Sequence, residues 1–224
     1  MLLAIDTATS YTSLALHRKS MVIAEHTWLS PSPNHAVELA PAVQRMLDQG
    51  GVTIQDLTAL AVCIGPGSFT GLRVGVALAK GIAAARQLPL VGVSSLDIVA
   101  AGHPQVSGGL IALVQAGRGR IVAGTYQWRK GRWKRRGEPR LMTWDSLLES
   151  IDGPATVTGE IDADGLAALA LARQQEMPIT ITAAVQRLRR AGFLAEEAWT
   201  QIQESADHDP ARVIPLYVKT KDLG

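Results

Sequence analysis

The sequence predicts an α/β fold in two lobes, each a mixed sheet with flanking helices, and three observations point to it. Short strand-like runs joined by tight turns occur in threes at two places, over residues 2–28 and 110–136. After each trio, helix-period segments alternate with strand-like ones. A chain of 224 residues with 47% hydrophobic and 19% charged side chains can fill two cores of this size and is too apolar for disorder. Alanine supplies much of the apolar content and aromatics only 4%, so helices are expected to pack closely.

Each element follows in order. LLAID (2–6) is an apolar run ending at Asp6, and TATS makes a hydroxyl-rich turn. SLALH (13–17) and MVIAEHTW (21–28), joined near Arg18–Ser20, complete an antiparallel meander. In SPSPNHAVELAPAVQRMLDQGG, Ser32 is placed to cap a helix and Pro33 to occupy its first position. Ala36, Leu39, Ala40, Val43, Met46 and Leu47 recur at helical spacing up to Gly50–Gly51. Pro41 inside this pattern is expected to kink the helix, at about 3 kcal/mol. TALAVCIG (58–65) reads as a buried strand, Phe69 to Gln87 as a helix, PLVGV (89–93) as a strand and SLDIVAAG (95–102) as a short helix.

The second half repeats the theme. LIALVQAG (110–117), RIVAGTYQW (120–128) and RWKRR (132–136) form a second meander, with Lys130–Gly131 as a hairpin turn. WDSLLES, ATVTG, DADGLAALALARQ, MPITIT and AAVQRLRRAGFLAEEAWTQIQ then alternate helix and strand, and RVIPLYVKTKDLG closes the chain. The whole fits the duplicated two-lobed actin-like ATPase (ASKHA) architecture, with an N-terminal lobe over 1–102 and a C-terminal lobe over 103–224.

Composition narrows the setting. Cys63 is the only cysteine, which excludes an internal disulfide framework and suits a reducing compartment. MLLAIDTATS reaches Asp6 too early for a signal peptide, and Arg73, Lys80, Arg86 and Pro89 interrupt the most apolar stretch, so a cytoplasmic protein is expected. The net charge of +2 hides an asymmetry: residues 1–102 are neutral, 103–140 carry +8, and 141–224 carry −6.

LLAIDTATSYTSLAL, HAVELAPAVQRML, GPGSFTGLRVGVALAKGIA and PLVGVSSLD occur in that order over residues 1–99, and PLYVK stands near the C-terminus. Together they resemble the bacterial TsaB proteins, also called YeaZ; between 100 and 210 the resemblance is weak. It implies the two-lobed actin-like fold and a non-catalytic role. TsaB-like proteins bind a catalytic paralogue, TsaD, which with the ATPase TsaE transfers a threonylcarbamoyl group to adenosine 37 of ANN-decoding tRNAs. The resemblance thus implies a TsaD-type partner, a TsaE-type ATPase reached through the complex, tRNA met indirectly, and a homodimer as an option for the chain alone. The second lobe departs from the family pattern of an Asp-Ala-Arg stretch followed by Glu-Val-Tyr: it reads QAGRGRIV, with Gln115, Arg120 and Val122 at those places.

The paralogue carries two histidines four residues apart after its equivalent of PLVGV, on one helical face and suited to one metal ion. Those positions are Ser95 and Val99 here. His17, His26, His35, His103 and His208 show no ligand spacing, and no metal site is expected. GPGSFTGLR is not a Walker loop, because three residues separate Gly67 from Gly71 and Leu72–Arg73 follow. We read it as a tight strand-to-helix turn capped by Ser68 or Thr70, with anion binding by its amides as the alternative. Asp6, Thr7, Thr9 and Ser10 stand where actin-like ATPases hold phosphate and magnesium. They form either a capped turn or a vestigial, partner-dependent ATP or ADP contact. No resident cofactor is expected. Cys63, in an apolar strand, reads as core and not as a nucleophile.

On a helix over 71–85, Gly71, Gly75, Ala79 and Ala83 make a flat stripe beside an apolar stripe of Val74, Leu78, Ile82 and Ala85. Each glycine costs about 1 kcal/mol of helix propensity against alanine, so close packing must offset it. A partner-binding face is expected over this helix and the 33–49 helix, with His35, Leu39, Val43, Met46, Gly71, Arg73, Val74, Gly75, Leu78 and Ile82 as contacts. The alternative is that a neighbouring helix of the same chain covers the stripe. RKGRWKRRGEPR sets seven basic residues between 129 and 140 beside Trp128 and Trp133. Arg132, Lys134, Arg135 and Arg136 suit tRNA phosphates, or else guard a sheet edge against aggregation. An active actin-fold ATPase or phosphotransferase is the alternative to the partner-subunit reading.

Overall fold

A computed structural model describes residues 1–30, 35–205 and 208–217, with only the backbone of His35 and Ala36. Ser32 and Pro33, expected to start the first helix, lie outside the described residues. The chain divides into two compact units, one of Met1–Ile98 with Arg190–Tyr217, the other chiefly Val99–Arg189.

The first unit holds a sheet of β1 (Leu2–Asp6), β2 (Tyr11–Arg18), β3 (Met21–Leu29), β4 (Ala59–Gly65) and β5 (Leu90–Ser94), in the order β3-β2-β1-β4-β5. The meander is antiparallel, and β4 and β5 run parallel to β1. Because alternate side chains face opposite ways, Leu3, Ile5, Leu14, Leu16, Leu60 and Val62 fill one core and Leu2, Ala4, Ala15, Ala61 and Cys63 another. Helices α1 (His35–Gln49) and α2 (Phe69–Arg86) cover the first face. A later helix, α7 (Ala191–Glu204), covers the second through Ala191, Leu194, Ala195 and Ala198. Short α3 (Ser95–Ala101) follows β5.

The second unit repeats the plan. Strands β6 (Gly109–Gly117), β7 (Arg120–Arg129) and β8 (Arg132–Met142) form its meander, and β9 (Ala155–Gly159) and β10 (Ile179–Ile181) extend it in parallel. Its order, β10-β9-β6-β7-β8, is the first sheet's order when β6 is laid on β1. The equivalent strands β4 and β9 even end alike, at Gly65 (φ +103°) and Gly159 (φ +97°). Helices α4 (Trp144–Glu149), α5 (Ala163–Gln174) and the single turn α6 (Ala184–Arg187) flank this sheet, and Trp144, Leu147 and Leu169 pack with Ile111, Leu113 and Val157.

Four expectations need correction. The C-terminal lobe does not run through 103–224: residues 190–217 return to the first unit. The helix expected over 183–203 breaks between α6 and α7, where Arg190 is extended (φ −124°). Adjacent arginines explain the break, since Arg189 pairs with Glu160 and Arg190 with Glu25 on β3. β8 runs past Arg136 to Met142, through a register shift in its pairing with β7 between Ala123 and Thr125. Finally, α1 is continuous through Pro41, which is solvent-exposed, so the missing hydrogen bond leaves no buried group unpaired.

Candidate functional site

β4 delivers the chain through Gly65, Pro66 and Gly67 into α2, and the β1–β2 turn packs directly against that entry. Thr7 Oγ1 donates to the Gly71 carbonyl at 2.7 Å, and Ser68 N donates to the Ala8 carbonyl at 2.6 Å. Ser68 Oγ caps the helix by accepting from Gly71 N at 3.2 Å. Asp6 Oδ1 accepts from Ala8 N at 2.9 Å and so closes its own turn. A Cβ on Gly67 would strike the Ala8 carbonyl, one on Gly71 the Thr7 carbonyl, and one on Gly75 the Thr7 hydroxyl.

These glycines are therefore what lets α2 sit on the β1–β2 turn. The strand-to-helix turn is the tight, capped one, and Ser68 is the cap. Asp6 and Thr7 are 1% exposed, and they make bonds to the turn and to α2 of the kind the capped-turn alternative expects. Thr9 is partly buried and accepts from Tyr11 N at 3.4 Å; Ser10 is exposed.

The same packing corrects half of the expected partner contacts. Leu39, Val43 and Met46 are between 2% and 5% exposed and belong to the first unit's own core. Gly71 and Gly75 face the β1–β2 turn, and Val74, Leu78 and Ile82 lean against the core, partly buried. The flat stripe thus meets its own sheet and turn. Arg73 alone among the named residues is fully at the surface; the His35 side chain lies outside the described residues.

The outward face consists of different residues. On α2 they are Thr70, Arg73, Ala77, Gly81, Ala84 and Ala85, with open space beyond Gly81. On α1, which packs beside α2, they include Val37, Ala40, Pro41 and Gln44, with Val37 76% exposed. At the start of α2, Phe69 (53% exposed) lies 5.1 Å from the Tyr217 ring. The Arg73 guanidinium stacks over Phe69 at 3.7 Å, and its Nε donates to Tyr217 Oη at 3.1 Å. Leu216 N donates to the Ile64 carbonyl at 2.7 Å, pinning the C-terminal segment beside the helix entry. Phe69, Ala77, Gly81 and Tyr217 were missed in the sequence reading. The available signal was the i, i+4 series Phe69, Arg73, Ala77, Gly81 and Ala85, two residues out of step with the Gly71, Gly75, Ala79 and Ala83 stripe and so on the opposite side of the helix.

Among the described residues no group of three or more His, Cys, Asp or Glu side chains is arranged to hold a metal ion. Ser95, which the resemblance lays on the paralogue's first histidine, donates its hydroxyl to the Pro66 carbonyl at 2.7 Å and lies 3.1 Å from Cys63 Sγ. Val99 is buried. His17 and His103 are buried too, and burial holds the His103 imidazole below its ordinary pKa. In the second unit Lys134, Arg135 and Arg136 are exposed on β8 and Arg132 is partly buried. No described helix is long and apolar enough to cross a membrane.

Comparison with known proteins fits this geometry. Residues 30–201 match the family described as TsaD, tRNA N6-adenosine threonylcarbamoyltransferase. The tRNA threonylcarbamoyladenosine biosynthesis protein TsaB of Bacillus subtilis is 36% identical over 162 residues, 70% of each chain. The structure of YeaZ from Pseudomonas aeruginosa superimposes with a TM-score of 0.79 at 26% identity, covering 97% of this chain and 99% of that one. A ROK hexokinase from Thermus thermophilus, at 12% identity and a TM-score of 0.51 over 91% of this chain and 99% of its own, shares the actin-like fold alone.

Proposed function

The chain belongs to the TsaB (YeaZ) family, and from that premise we propose that it serves tRNA threonylcarbamoyladenosine biosynthesis as the non-catalytic partner of a TsaD-type transferase. The observation that carries the docking part is the outward face of α1 and α2. It joins Val37, Ala40, Pro41, Ala77 and Gly81 to the exposed Phe69–Arg73–Tyr217 cluster. Small residues let a second helix pair approach closely, while exposed aromatic and arginine side chains are typical anchors of an interface. The non-catalytic part is supported by Ser95 and Val99, which occupy the paralogue's histidine positions. One is bonded to a backbone carbonyl and the other is a hydrocarbon. A TsaE-type ATPase and tRNA are then met through the assembly, in the cytoplasm, and the same face offers a homodimer contact when the paralogue is absent.

Co-expression with a TsaD-type paralogue tests this reading. A Val37→Asp, Gly81→Leu double variant is expected to lose the heterodimer on size exclusion while keeping the parent's melting behaviour, because both positions face open space. Undiminished association would refute the docking face. Sustained ATP turnover by the purified chain alone would favour an actin-fold ATPase instead.

A further inference from the structure

The β7–β8 hairpin has two unlike faces. On one, Trp133 is buried and donates Nε1 to the His103 carbonyl at 3.0 Å, Trp128 meets Trp133 edge-on at 5.2 Å, and Tyr126 is buried. That face anchors the hairpin to its lobe. Side chains alternate along a strand, so Arg132, Lys134 and Arg136 fall on the other face. Their cross-strand partners are Arg129, Gln127 and Thr125 in turn. Arg129, Lys134 and Arg136 are exposed, and no acidic residue stands at the paired positions between Arg132 and Arg136; Glu138 follows beyond them, next to the register shift.

Edge protection accounts for part of this, since β8 ends the sheet and a lysine or two on an edge discourages pairing with another chain. It does not by itself call for an arginine on each strand, at Arg129 and Arg132. Nor does it need Arg132, Lys134 and Arg136 in succession along one face, about 7 Å apart. Such an array suits a polyanion lying along it and releasing its counterions.

We infer that the outer face of the β7–β8 hairpin binds the phosphate backbone of RNA, through Arg129, Lys134 and Arg136 with Arg132 between them. The choice of RNA among polyanions rests on the function proposed above; the presence of an anion site rests on the charges alone. Contact is to phosphate and not to bases, so binding tolerates sequence and weakens steeply with salt.

The test uses the full chain with fluorescently labelled, unmodified tRNA, titrated by anisotropy between about 50 and 200 mM salt. Three or so phosphate contacts give a slope of log K against log salt near −2 to −3. Neutralising Arg129→Gln, Lys134→Gln and Arg136→Gln together is expected to flatten that slope by about 2 and to weaken low-salt binding about tenfold. Arg129→Lys with Arg136→Lys is expected to preserve the slope. Should the triple variant melt early, Lys134→Gln alone carries the test, with a slope change of slightly under one. An unchanged slope overturns the inference, as does failure to bind tRNA at 50 mM salt. Preferential binding of phosphatidylserine vesicles over tRNA also overturns it. Paralogue association is scored in parallel: a chain that binds tRNA but no paralogue sinks the partner reading alone, and the reverse sinks this one alone.

Discussion

Two glycines in α2, ten residues apart, have opposite surroundings. At Gly71 a methyl group would run into the backbone carbonyl of Thr7 in the buried β1–β2 turn; at Gly81 it would meet nothing within 4 Å. Gly71→Ala is therefore expected to destabilise the chain by about 1–3 kcal/mol through overpacking. Gly81→Ala should stabilise it by up to about 1 kcal/mol through helix propensity. Paired denaturant titrations read both, and equal effects at the two sites would refute the assignment of inner and outer faces. Helical spacing in the sequence revealed the small-residue stripe, but periodicity fixes only which residues share a face. It does not say whether that face meets a partner or the chain's own β1–β2 turn. Thr7 and Ala8 decided this, and no local pattern announces that a carbonyl sixty residues away will lie against Gly71.

At the scale of single elements, the loop after α3 carries a titratable group into the second lobe's interior. His103 Nε2 lies 2.8 Å from Thr158 Oγ1, which in turn accepts from Thr182 Oγ1 at 2.9 Å. Burial lowers the imidazole's pKa below the ordinary 6.5. Well above pH 6.5 the ring is neutral folded and unfolded alike, and contributes no pH dependence. As pH falls below 6.5 the unfolded chain binds the proton first, so stability is lost progressively until the folded pKa is passed. His103→Gln is expected to lose less of its denaturation midpoint than the parent between pH 7 and pH 5. An identical loss in both would show that His103 titrates normally. Most elements were legible from apolar runs and turn residues, because β1, β4, β5, β6 and β9 are buried strands between strong breakers. The ends of β8 and the gap between α6 and α7 were not. A register shift lengthens the former, and the latter answers to two arginines whose carboxylate partners, Glu25 and Glu160, are remote in sequence.

For the molecule as a whole, the repeated sheet order was legible as two meanders, and the lobe boundary was not. Composition gives α7 no mark that assigns it to one lobe or the other. What assigns it is Ala191, Leu194, Ala195 and Ala198 packed against Leu2, Ala4, Ala15 and Cys63. A chain stopped after Arg189 would bare that apolar sheet face to water. It is expected to aggregate or to lose cooperative unfolding, checked by sedimentation and calorimetry. Translation meets the same geometry in time. The stretch from Val99 to Arg189 is synthesised whole before α7 is made, so the half that begins first is the half that finishes last, and its unfinished sheet must wait for chain synthesised roughly a hundred residues later.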